Sequence, residues 1–263
     1  MLKLLFSSVP RKTIDAIKVY FVVIGVMVCY ILLFAVGTVL DPFWVSFVAD
    51  LIGIGLALLC YKIYCGPLSF RTAHVKINGS RGAVYLVFYF IFTIYASLML
   101  SIYVLHKIPP SSSSVDIYSS STEETYGVWF ILFAAIIAPL TEELIMRFFA
   151  YTYLKRHSHW ILAMLFTSIV FGAFHGTWHQ FIAGVVFGIS STLLYEYSGT
   201  IIVSILYHMI YNWIALMTTE SMLFTNETAF YVLMFLYIGV IISFMARIYA
   251  ENNRRHGTDF SGF

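Results

Sequence analysis

Glu142, Glu143 and Arg147 interrupt the apolar stretch IIAPLTEELIMRFFAYTYL, residues 136–154. Two further polar pairs lie in similarly apolar surroundings. Phe171 and His175 are four apart in SIVFGAFHGTWHQFIAG, and His208 and Asn212 are four apart in ILYHMIYNW. A carboxylate, two imidazoles and a carboxamide are the parts needed to hydrolyse a peptide bond. The carboxylate takes a proton from water, one imidazole orients or polarises that water, and the second imidazole with the amide holds the tetrahedral oxyanion.

Each of these residues also has a plainer reading. An ionised side chain at the centre of a bilayer costs roughly 2.5–3.5 kcal/mol on insertion scales. Glu143 and Arg147 share a helix face in the favourable order, so pairing offsets much of that cost. Such a pair alone is helix–helix glue. Glu142 sits about 100° further round the helix and has no partner on its own span. An unpaired buried carboxylate either takes up a proton or faces a polar cavity. Pro139, just upstream, cannot donate a backbone hydrogen bond and opens the helix locally.

His175 alone reads as a packed histidine, with Gly172 and Gly176 allowing a neighbouring helix to approach. His179 shares its face only if the helix continues, and Gly176 and Trp178 point instead to a bend. His208 and Asn212 face the same way. They form either an interhelical clamp or a pair of oxyanion donors, the latter worth roughly 3–4 kcal/mol in a water-poor site. Asp50 is the other acid in an apolar block and has no assigned role.

The elements that must position these groups are membrane helices. The chain has 263 residues, of which 60% are hydrophobic and only 11% charged, with a mean hydropathy of +0.87. Soluble domains are about 45–50% apolar and about 25% charged. The apolar residues fall into eight blocks of a length that can span a bilayer, at 16–37, 43–64, 83–105, 127–154, 160–177, 179–195, 200–218 and 229–249. The fold class expected is therefore all-α, a polytopic bundle of about eight transmembrane helices forming one membrane domain over 1–263. The first block is too long for a signal-peptide core and lacks a small-residue cleavage site, so it reads as an uncleaved span.

With the N-terminus inside, thirteen of the fifteen Lys and Arg residues fall on the inner side. Lys107 alone is in an outer loop and Arg147 is intramembrane. The positive-inside rule thus places both termini in the cytoplasm. The short length and compact tail suggest a bacterial plasma membrane. The outer segment from His106 to Tyr126, rich in Ser and Pro, reads as a linker, with a lid as the alternative. Cys29, Cys60 and Cys65 show no disulfide framework or metal-type spacing. The net charge of +2 offers no case for nucleic acid.

Taken in order, EELIMR at 142–147, FGAFH at 171–175 and HMIYN at 208–212 resemble the CPBP intramembrane proteases. This family comprises the CAAX prenyl endopeptidases and the bacteriocin-processing or immunity (Abi) proteins. The resemblance covers residues 125–220 and implies a site within the membrane. It implies Glu142 as general base, His175 acting with it on water, and His208 and Asn212 as oxyanion donors. Glu143, Arg147 and Phe171 would support them.

Whether the site takes no cofactor or a single Zn2+ on Glu142, His175 and His208 is left open, since no H-E-x-x-H is present. The partners expected are the bilayer and a membrane-associated peptide or protein substrate, prenylated or not. Two other functions fit the same residues: a non-catalytic immunity or scaffold protein, and a proton-coupled transporter.

Overall fold

The computed structural model describes residues 18, 20–26, 28–29, 32, 42–70, 79–107, 127–217 and 227–258. These residues are helical with short turns, and no β-strand occurs among them. Seven helices follow the apolar blocks: α1 (Phe43–Cys65), α2 (Gly79–Lys107), α3 (Val128–His157), α4 (Trp160–Ala173), α5 (Trp178–Ser198), α6 (Ile201–Met217) and α7 (Glu227–Thr258). The described residues of the expected first span (18, 20–26, 28–29 and 32) are helical, and the other residues of that span, like the loop after α2, lie outside the described residues.

Five of these helices are long and apolar enough to cross a membrane; α4 and α6 are shorter apolar helices. The outward faces match a lipid environment. Phe235 is 78% exposed and Val84 69%, a burden that only hydrocarbon surroundings relieve. The chain forms an all-α polytopic membrane bundle.

The helix directions set up the site. α1 and α3 run parallel, in contact from Phe43 and Phe133 (ring centroids 5.7 Å) through the stacked rings of Tyr61 and Phe148 (4.0 Å). At the far end, Arg156 donates to the Cys65 carbonyl at 2.6 Å. α6 runs antiparallel to α3, with Asn212 opposite Ala134 and His208 opposite Glu143. α2 and α7 form an outer antiparallel pair, joined by Lys107 and Glu227 (2.6 Å), by the hydroxyls of Tyr103 and Tyr231 (2.8 Å), and by the rings of Tyr89 and Phe244. Tyr237 of α7 ties this pair to the centre, lying within hydrogen-bond reach of both Ser97 on α2 and Ser190 on α5.

The α4–α5 hairpin packs on bare backbone. A Cβ added at Gly172 would lie 2.6 Å from the Phe181 carbonyl oxygen, and one at Gly188 would lie 2.9 Å from the Ser168 Cβ. Small residues of this kind let membrane helices approach closely. The expected fifth span runs to residue 177, but α4 stops at Ala173. Gly176 then turns the chain with φ +74°. Its expected role in helix contact is corrected here: nothing lies within 4 Å of a Cβ at that position.

Candidate functional site

Glu143 is the centre of the polar cluster. It is fully buried, and Arg147, one helical turn on, donates from Nη1 to its Oε1 at 2.8 Å. The same Oε1 lies 3.0 Å from Nδ1 of His208 on α6. Its Oε2 accepts a hydrogen bond from Ser191 Oγ on α5 at 2.9 Å. One carboxylate therefore joins α3, α5 and α6. Burial of such a group is tolerable because each oxygen meets a donor. The Arg147 guanidinium also lies over the ring of Phe171, its Cζ 4.6 Å from the centroid.

His208 faces both acids. With Nδ1 against the Glu143 carboxylate, that nitrogen carries the proton, and Nε2 presents its lone pair. Nε2 is 3.7 Å from Oε2 of Glu142. That is longer than a direct hydrogen bond. Glu142 differs from its neighbour in access, with its side chain 27% exposed against 0% for Glu143. Glu142 also lies within electrostatic range of Asp50 on α1. The carbonyl of Asp50 accepts a weak bond from Thr141 at 3.4 Å. Asp50, without a role in the sequence, thus belongs to the wall beside Glu142.

His175 lies in the turn after α4. Its Nδ1 donates to the Phe171 carbonyl at 2.9 Å, which leaves Nε2 as the basic nitrogen. The Phe171 ring meets His175 edge-on at 4.9 Å and His208 at 5.7 Å. Phe171 therefore spaces the two imidazoles while carrying the guanidinium on its face. No ion pair within 4 Å links His175 to Glu142. His179 is buried at the start of α5, past the turn.

Asn212 reaches the cluster differently from the expected oxyanion geometry. Its Nδ2 donates to the carbonyl of Ala134 at 2.9 Å. α3 widens into a π-helical stretch over Phe133–Ile137 just before Pro139. Ala134 lies five residues before that proline, which has no N–H to return to the widened turn. The amide of Asn212 takes up this carbonyl. One of its two N–H groups is thereby committed to holding α6 against α3, and the other is available to a ligand.

Among the described residues, no three His, Cys, Asp or Glu side chains are grouped to hold an ion. Each histidine commits Nδ1, to Phe171 or to Glu143, and keeps Nε2 as the nitrogen that could act on a ligand.

Sequence reasoning did not single out Ser191 or Ser204, whose hydroxyls lie 2.8 Å apart beneath Glu143. Nor did it find the half-buried ion pair in which Lys155 donates to Glu196 at 2.7 Å. The signal for Ser191 was slight: a Ser-Ser step one turn beyond Gly188, on the helix that must face the acidic pair.

A buried acid–imidazole centre inside a bundle of apolar helices defines an integral membrane protein with the makings of an intramembrane hydrolase. Residues 124–214 match the family model described as Rce1-like, type II CAAX prenyl endopeptidase Rce1-like, which supports the resemblance of the three motifs to the CPBP intramembrane proteases. No curated protein and no solved structure matches the chain.

Proposed function

We propose that this protein is an intramembrane endopeptidase in which Glu142 activates a water molecule for attack on a peptide carbonyl. The observation that carries the reading is the contrast between the two adjacent acids. Glu143 is closed off by three donors, whereas Glu142 is accessible and faces Nε2 of His208 across 3.7 Å. A water in contact with both groups can pass its proton to the carboxylate while the imidazole orients it.

His175 acts on the same water or on the substrate through its uncommitted Nε2. The second N–H of Asn212 stabilises the oxyanion as it develops, and His208 keeps the attacking water in line beside it. Glu143, Arg147 and Phe171 hold the two imidazoles in place. Proton transfer then runs from water to Glu142 and on to the leaving amine, with no step assigned to a metal.

The substrate class is a peptide or protein that reaches the site from the membrane. The family match favours a C-terminal peptide carrying a prenyl group. The charge bias favours cytoplasmic termini, and we read the membrane as a bacterial plasma membrane.

The test is cleavage of a fluorogenic prenylated peptide, and of its unprenylated twin, by purified protein. The wild type cleaves and the folded Glu142→Gln variant does not. Equal turnover by both would overturn the assignment of the base. If Glu142→Gln cells keep the function of wild-type cells, the protein acts as a scaffold instead.

A further inference from the structure

Ser191 touches the cluster from a helix that contributes no other polar contact to Glu143. Its side chain is fully buried and donates to Oε2 of Glu143 at 2.9 Å. Behind it, Ser204 on α6 is also fully buried. Ser204 Oγ lies 2.8 Å from Ser191 Oγ and donates to the Ser191 carbonyl at 2.8 Å. Ser204 has a single proton, shared between those two oxygens of Ser191. The Ser191 hydroxyl hydrogen is then free to stay on the carboxylate.

The consequence is a division of labour between the oxygens of Glu143. Oε2 is saturated by Ser191, while Oε1 is held by Arg147 and meets His208 Nδ1. Without the Ser191 donor, the carboxylate can rotate about its last bond and offer either oxygen to Arg147. The His208 ring then loses the fixed acceptor that sets its tautomer. Outer hydrogen bonds of this kind orient a reactive imidazole and decide which nitrogen carries the proton.

We propose that Ser191, braced by Ser204, is a positioning residue that holds His208 with Nδ1 protonated and Nε2 turned to Glu142. The proposal rests on the intramembrane-peptidase reading above. Ser191 does not touch the reacting atoms. It acts through Glu143.

Two measurements on the purified full chain test it. The first is steady-state cleavage of the fluorogenic prenylated peptide. Ser191→Ala lowers kcat about tenfold with KM within about twofold, the pattern for a lost interaction that serves only the chemical step. Ser191→Thr, which keeps the hydroxyl, recovers most of that loss. The Ser191→Ala/Ser204→Ala double variant is no slower than Ser191→Ala alone, because the two hydroxyls act as one chain.

The second measurement needs no turnover. Histidine-labelled protein is followed by 15N NMR, with His208→Gln identifying the His208 signals. The wild type shows one Nδ1-protonated tautomer, and Ser191→Ala shows a mixture. An unchanged His208 tautomer in a folded Ser191→Ala variant overturns the proposal. So does a kcat within twofold of wild type, or a loss confined to KM. If the wild type cleaves no peptide, the peptidase reading fails while the tautomer spectrum still decides the role of Ser191.

Discussion

Nδ1 of His208 lies 3.0 Å from the same Glu143 oxygen that accepts from Arg147. This shared oxygen makes an imidazole on α6 and a guanidinium on α3 parts of one charge arrangement. The structural and chemical roles of the cluster can therefore be separated by mutation.

Arg147→Met leaves the Glu143 carboxylate enclosed without its cation. Removing one partner of a buried pair costs about 3–5 kcal/mol. The expected outcome is a sharp loss of folded yield in mild detergent and a lower thermal midpoint. Glu143→Gln strands the buried Arg147 guanidinium and turns amide N–H groups towards donors, so a loss of the same order is expected.

His175 and His208 should part company in the same assays. His208→Ala removes a donor to a fully buried carboxylate, so both stability and cleavage fall. His175 sits in a turn and bonds only a backbone carbonyl. His175→Ala is expected to lower kcat by at least about a hundredfold, the scale of a lost acid–base group. Its thermal midpoint stays within a few degrees of wild type. A variant with normal turnover would remove His175 from the chemistry.

Gly172→Ala places a Cβ 2.6 Å from a carbonyl oxygen that cannot withdraw without moving α5. Overpacking of this sort costs about 1–3 kcal/mol. Gly55→Ala on α1 is the control, since nothing lies within 4 Å of that Cβ. Thermal unfolding should separate the two, with Gly55→Ala neutral or slightly stabilising because alanine is the better helix former.

Asn212→Asp replaces the amide donor by a carboxylate oxygen against the Ala134 carbonyl. Loss of the bond costs about 1 kcal/mol, and acceptor facing acceptor adds to it. Lower stability is therefore expected along with slower cleavage. Asn212→Asp that slows cleavage with an unchanged midpoint would assign the amide to the oxyanion alone.

The proposed chemistry is carried by Glu142 without a metal-dependent step. Cleavage should therefore persist after dialysis against a zinc chelator. Loss of turnover on chelation, restored by zinc, would require Glu142, His175 and His208 to regroup around an ion.

Much of this arrangement was legible in the residues themselves. Charges in an apolar run are so costly that Glu143 and Arg147 at i,i+4 could be read as a pair. The isolation of Glu142 on its own helix pointed to protonation or a polar cavity, and in the structure it faces His208 across 3.7 Å. The helix order followed from block lengths.

Other features depended on tertiary contact. A serine in a membrane helix can bond its own backbone, as Thr192 does to Gly188 and Ser168 to Met164. The Ser-Ser step at 190–191 is thus too slight a mark to set Ser191 apart from them. Pro139 announced a free carbonyl, but only the antiparallel placement of α6 shows that Asn212 takes it. Gly172 and Gly176 look alike in sequence. One is pressed against α5 and the other turns the chain, a difference decided by where α4 ends.

That end has a consequence for the surrounding lipid. The fourteen residues of α4 rise about 21 Å, against a hydrocarbon thickness of about 30 Å. The shortfall of about 9 Å must be met by lipid tails drawn inward or by solvent entering above the turn. His175 sits in the turn at one end of this short helix. A polar backbone that would be shut out of an intact hydrocarbon slab can enter there with its hydration partly kept.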